Sequence, residues 1–156
     1  MLARFCLMLA CCSLLSSAVF GAEEPKVDLG TVTEKHVMIP MRDGVKLAAY
    51  LYFPKGEGPW PVGDEQREAA PREVGTRQAM ARLAQGGYVV CLENFRGSQK
   101  SEGKWRGYRA LGWLELKDGY DTVEWLAKQP WSTGKIGTFG SSQAGFAQNF
   151  LAVILS

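Results

Sequence analysis

The second half of the chain sets the strongest constraint on its fold, because strand-type and helix-type hydrophobic patterns alternate there. "YVVCL", Tyr88 to Leu92, is a continuous β-rich apolar run, the pattern of a strand covered on both faces. Leu116, Tyr120, Val123, Leu126 and Ala127 then recur at helical spacing, which predicts an amphipathic helix from about Leu114 to Gln129, stopped by Pro130. "KIGTF" reads as another strand, and the residues from Gln143 onward read as helix. Strand and helix in alternation predict an α/β fold built on a parallel sheet.

The first half adds strands of a different kind. In "TVTEKHVMIPMRDGVKLAAYLYFP", Val32, His36, Val37 and Ile39 belong to one extended run, and Leu47, Ala49, Leu51 and Phe53 alternate in a second. Arg42, Asp43 and Gly44 supply the turn of a β-hairpin, since glycine adopts positive φ without steric cost. The following "KGEGPWPVGDEQREAAPREVGTRQ" is dense in Gly, Pro and charge and reads as a loop. Met80, Leu83 and Ala84 predict a short helix over about Thr76 to Gln85, ended by Gly86 and Gly87.

The N-terminus has a different design. Arg4 precedes an uncharged apolar run, Phe5 to Phe20, and then small residues, which is the layout of a secretory signal peptide. The expected organisation is a signal peptide over 1–22, a linker over 23–30 and a domain over 31–156, giving a secreted or periplasmic protein. Lipoprotein processing at Cys11 or Cys12 is the weaker alternative, because "MLA" matches a lipobox poorly. The apolar run falls short of the roughly 20 residues that span a bilayer, so no stable membrane span is expected.

Removal of the leader takes three of the four cysteines and leaves Cys91, whose neighbours place it as an inert thiol in a buried strand. It also takes Arg4, bringing the formal net charge of +2 down by one. So balanced a chain has no electrostatic attraction for nucleic acid or an anionic membrane. Without a Cys/His cluster at ligand spacing, a GxxxxGK or a GxGxxG loop, neither metal nor other cofactor is expected. Trp113, Trp125 and Trp131 read as packing around the second helix.

The chemistry concentrates in "GKIGTFGSSQAGF", Gly134 to Phe146. A nucleophilic serine on a sharp strand-to-helix turn needs small residues two before it and two or three after it. Ser142 has Gly140, Ala144 and Gly145 at those positions, whereas Ser141 has Phe139 at its minus-two position. Ser142 is therefore the candidate nucleophile, and the backbone N–H of Gln143 the candidate oxyanion donor. A tight turn with N-capping serines is the alternative reading of the same residues.

Four features in order, "VMIPMRDGVKLAAYLYFP", "GGYVVCLENFRGSQKSEGKW", "DGYDTVEWLAKQPWSTGKIGTFGSSQAGF" and the spacing between them, resemble the N-terminal part of the CocE/NonD family of α/β-hydrolases, which includes cocaine esterase and X-Pro dipeptidyl-peptidases. The resemblance implies the N-terminal portion of an α/β-hydrolase fold: an incomplete, mostly parallel sheet with an N-terminal β-hairpin. It implies a serine hydrolase acting on ester or amide substrates, Xaa-Pro peptides included, with Ser142 as nucleophile and Gln143 at the oxyanion hole. The family's "DxRGxxxSEG" block falls on Asn94, Arg96, Gly97, Ser101, Glu102 and Gly103, with Asn94 in place of aspartate, and reads as structural, Arg96 pairing in the core.

The chain also departs from the family. Members follow the second strand with an apolar third strand and a "TPY" element whose tyrosine completes the oxyanion hole. Here "PVGDEQREAAPREV" stands in that place, with no tyrosine between Tyr52 and Tyr88, so the second oxyanion donor is expected to be missing. The catalytic acid and histidine follow the serine in α/β-hydrolases, yet neither residue type occurs after Ser142, and the single histidine, His36, reads as a surface strand residue. The expectation is an incomplete form, inactive by itself, with a non-catalytic fragment or secreted binding module as the alternative.

Overall fold

The computed structural model describes residues 26–67, 73–107 and 115–155; the proposed leader, Leu114 and Trp113 lie outside these residues. Strands β1 (Thr33–Pro40) and β2 (Lys46–Phe53) form the expected hairpin, in antiparallel register from Thr33↔Phe53 to Pro40↔Lys46. Its turn closes through the Met41 N–H on the Val45 carbonyl at 2.8 Å, with Gly44 at φ 85°. Residues Leu47 to Tyr52 are all buried, so β2 is covered on both faces rather than alternating between core and solvent.

The segment read as a loop contains a strand. β3 (Trp60–Arg67) lies between β4 (Val89–Asn94) and β5 (Ser132–Thr138), parallel to both, in a five-stranded sheet of order β1-β2-β4-β3-β5. Gly, Asp and Glu are depleted in strands, and after Val62 the sequence runs Gly63, Asp64, Glu65, Gln66 and Arg67, so local propensity gives no strand signal. Pairing on both edges overrides it: Val62 to Arg67 lie in continuous register with Val89 to Asn94.

Helices pack on both faces in a three-layer arrangement. α2 (Asp118–Ala127) brings Leu126 onto Ile39, Leu47, Ala49, Leu51, Val62, Val89 and Cys91. α1 (Val74–Gln85) brings Met80, Ala81 and Ala84 onto Tyr50, Tyr52, Val90 and Leu92 on the other face. Leu83, expected in this buried stripe, is exposed, because the residues that meet the sheet are at 80, 81 and 84. α2 starts at Asp118, later than expected, and leaves Leu116 ahead of it; Asp118 and Asp121 stand in its first turn, where the helix dipole favours negative charge. Trp125 and Trp131 pack edge to face at 6.5 Å beside α2, as expected for packing residues. Cys91 is fully buried in β4, and burial raises its thiol pKa well above the ordinary value. Helix α3 (Gln143–Leu155) follows β5.

Arg96, just beyond β4, ties three elements together. Its Nε and Nη2 donate to the Asp118 carboxylate at 2.9 and 2.7 Å, while Nη1 and Nη2 donate to Asp43 of the hairpin turn at 2.8 and 3.1 Å. A planar fork serving two carboxylates is a task only arginine performs. Ser101 Oγ donates to the Asn94 carbonyl and accepts the Ala48 N–H, and Glu102 accepts the Lys46 N–H, so the same loop is stitched to β2. A Cβ on Gly97 would lie 2.2 Å from the Trp105 nitrogen, which fixes glycine there. The "RGxxxSEG" residues thus act structurally, as the sequence reading holds.

Arg96→Ala leaves Asp118 buried without its cation and is expected to cost about 3–5 kcal/mol in urea denaturation. Arg96→Lys recovers only a minor part of it, since an ammonium cannot form the fork. A loss below about 1 kcal/mol for Arg96→Ala would show that the triad contributes little.

Candidate active site

The turn between β5 and α3 is built from Phe139, Gly140, Ser141 and Ser142. The Phe139 N–H donates to the Asp64 carbonyl of β3 at 3.1 Å, so the turn leaves the sheet from a point fixed by the strand beside β5. Phe139 also covers Gly63, where an added Cβ would come within 3.2 Å of its ring. On the helix side the Ala144 N–H donates to Ser141 O at 3.1 Å and the Phe146 N–H to Ser142 O at 3.0 Å. Gln148 braces the turn, donating through Nε2 to Gly140 O at 3.1 Å and Ala144 O at 3.4 Å. Ala147 and Phe150 of α3 pack on Phe95, which anchors the helix beside the end of β4.

Ser142 has φ 52°, a left-handed conformation that side chains other than glycine rarely adopt. It is exposed, at the end of the sheet where the parallel strands finish. Gly140 has φ 135°, and a Cβ there would sit 2.5 Å from the Ala144 Cβ. The small-residue requirement read from the sequence therefore rests on 140 and 144; at Gly145 an added Cβ would meet Gly140 O at an ordinary 3.6 Å. Gln143 opens α3, placing its backbone N–H at the positive end of the helix. A hydroxyl on a strained turn beside a helix N-terminus can attack an acyl carbon and have the resulting oxyanion held nearby.

His36 stands elsewhere. It is an exposed residue of β1 with its ring 4.8 Å from that of Tyr50. β1 and β5 are opposite edges of the sheet, four strand spacings or about 19 Å apart, so His36 is a surface strand residue as expected. The stretch expected to lack the second oxyanion donor includes residues 68–72, which lie outside the described residues.

Sequence reasoning missed Glu65. From β3 its side chain reaches the elbow, where a Cβ on Gly140 would come within 3.4 Å of the Glu65 Cγ. Burial raises its carboxyl pKa, opposed by Arg67, whose Nε lies 3.6 Å from Oε1. With β3 read as loop, no signal placed Glu65 there.

The strain makes a prediction about stability. Ser142→Gly is expected to stabilise the chain by about 1 kcal/mol, by relieving the positive φ, whereas Ser141→Gly gains nothing. Gly140→Ala is expected to destabilise by about 2 kcal/mol or more, through its clash with Ala144. Denaturant melts of the three variants check this; a destabilising Ser142→Gly would contradict a strained turn.

Known proteins resemble this chain in sequence and in fold. Cocaine esterase of Rhodococcus sp. (strain MB1 Bresler) is 32% identical over 126 residues, covering 78% of this chain and 21% of the esterase. An α-amino acid ester hydrolase structure superposes with a TM-score of 0.63 at 29% identity, over 86% of this chain and 25% of that one. A CocE/NonD family hydrolase from Staphylococcus aureus gives 0.65 at 27% identity, over 78% and 24%. The chain thus spans about a fifth to a quarter of the length of these relatives. Their α/β-hydrolase sheet is the fold seen here. Residues 43–154, which include the Arg96 loop, the elbow and most of α3, match the X-Pro dipeptidyl-peptidase (S15) family, and the chain belongs to that family.

Proposed function

We propose that the chain carries the nucleophile of a secreted or periplasmic serine hydrolase that cleaves ester or amide acyl bonds, Xaa-Pro peptide bonds among them. The observation that carries this reading is the positive φ of an exposed serine between β5 and α3, held by Gly140 and Ala144. In the proposed reaction Ser142 Oγ attacks the acyl carbon, its proton passing to a base, and the carbonyl oxygen becomes an oxyanion accepting the Gln143 N–H. The intermediate collapses to an acyl-enzyme as the leaving group departs with a proton, and water then releases the acid. The leader composition of residues 1–22 supports export.

A nucleophilic serine needs a general base, and the chain's single histidine is at the far edge of the sheet. The proposed reaction therefore draws its base, and that base's carboxylate partner, from groups other than His36. The placement of His36 also favours a second reading, a secreted module that keeps the hydrolase half-sheet for binding and performs no chemistry.

A fluorophosphonate probe separates the two. Slow labelling is expected, on the order of 10²–10⁴-fold below that of a base-assisted serine. It should vanish in Ser142→Ala and persist in Ser141→Ala and His36→Ala. Labelling that survives Ser142→Ala, or none on prolonged incubation, contradicts the nucleophile assignment.

A further inference from the structure

Two buried carboxyl groups lie side by side in the sheet on the face that α2 covers. Asp64 on β3 is 1% exposed and Glu93 on β4 is 0% exposed. Asp64 stands opposite Cys91, and Glu93 is two residues further along the same face. The Gln66 amide donates to Asp64 Oδ2 at 2.9 Å, and the Thr122 hydroxyl donates to Glu93 Oε2. Their other oxygens, Asp64 Oδ1 and Glu93 Oε1, have no hydrogen-bond partner, nor has Gln66 Oε1. This buried layer therefore holds three acceptor oxygens lacking a donor.

The surrounding charges do not compensate. The strongest acting on Glu93 are Asp64 from β3 and Asp118 and Asp121 from α2; at Asp64 burial and Glu65 of its own strand outweigh the hydrogen bonds of the Cys91 thiol and the Gln66 amide, which favour the charged form. Leu51 of β2, Val62 of β3, Ile136 of β5 and Leu126 of α2 line this side of the sheet with apolar groups. The Arg96 guanidinium is committed to Asp118 and Asp43. Among the described residues no three His, Cys, Asp or Glu side chains are placed to hold a metal ion. A proton turns a carboxyl acceptor into a donor, removing the charge and one of the orphaned oxygens together.

This layer supports the elbow directly, since Asp64 O receives the Phe139 N–H and Asp64 pairs with Thr138. We propose that the Asp64–Glu93 layer is an acid-dependent latch: protonated, it closes β3 against β4 and holds the Ser142 turn, and its ionisation loosens β3 and frees the turn. The functional consequence rests on Ser142 being the nucleophile; the latch itself does not.

The sign follows from proton binding. Burial pushes Asp64 up to about 6 and Glu93 well above the ordinary carboxyl range, whereas in the unfolded chain both titrate near about 4. Above about pH 4 the folded state binds more protons, so the stability, fully present below about pH 4, is lost as pH rises through about 6 and beyond.

Thermal melts followed by circular dichroism test the latch. Between about pH 5 and about pH 8, Tm is expected to fall by roughly 5–10 °C. Asp64→Asn and Glu93→Gln should each remove a large part of that fall, while Asp28→Asn, in the N-terminal segment, leaves it unchanged. The protection factor of the Phe139 amide, its exchange measured against an unstructured peptide at the same pH, should fall on the order of tenfold or more over the same range in the native chain and less in Glu93→Gln. A flat or rising Tm, or the full fall in both variants, overturns the proposal. So does recovery of Tm at about pH 8 on adding millimolar Mg²⁺ or Ca²⁺, which would assign the orphaned oxygens to a cation. These readouts do not use the serine, so failed fluorophosphonate labelling with an intact pH dependence rejects the nucleophile and keeps the latch, and the converse result does the opposite.

Discussion

Everything on the chemical side of this molecule hangs from the backbone ladder of β3. In the order β1-β2-β4-β3-β5, the hairpin reaches β5 only through β4 and β3, and Ser142 sits at the end of β5. The turn that follows is fastened to the same strand through Asp64 O. β3 is paired with β4 from Val62 to Arg67 and with β5 up to Asp64, and this main-chain pairing lets the strand tolerate the side chains Asp64, Glu65 and Gln66. The cost appears in the side chains, as carboxyls with raised pKa values and oxygens without donors.

A second constraint acts at the same end of the sheet, on the hairpin side. Arg96 leaves β4, Asp43 caps the hairpin turn and Asp118 begins α2; these residues are far apart in sequence and meet because one guanidinium presents two forked faces. Burial pushes Asp118 up more strongly than its bonds to Arg96 pull it down, which leaves the arginine as the group that makes the buried carboxylate tolerable. The arginine loop follows β4 and the elbow follows β5, the two parallel strands on either side of β3, at the carboxyl ends where ligands bind in open α/β sheets.

Much of this arrangement was legible in the sequence, and the exceptions have physical causes. The Asp-Gly hairpin, the buried "YVVCL" run, the helix stopped by Pro130 and the elbow each carry a local signal that the tertiary structure reinforces. β3 carries none: its residues favour loops, and only pairing with Val89 to Asn94 and with β5 makes it a strand. That error also hid Glu65 beside Gly140 and the Asp64–Glu93 layer. For Arg96 a core pairing was legible, but its partners were not, because Asp43 and Asp118 become neighbours only in three dimensions. At Ser142 the glycine spacing marked the turn between β5 and α3, and the backbone adds that the residue with positive φ there is 142 rather than 141.

Native-state amide hydrogen exchange of β3 tests this account most directly. At mildly acidic pH the amides of Val62 to Arg67 are expected to be protected to about the same degree as those of Val89 to Asn94, opening only with the sheet as a whole. Exchange of the β3 amides at rates near those of an unstructured chain, while β2 and β4 stay protected, would contradict it and would leave Ser142 without a scaffold.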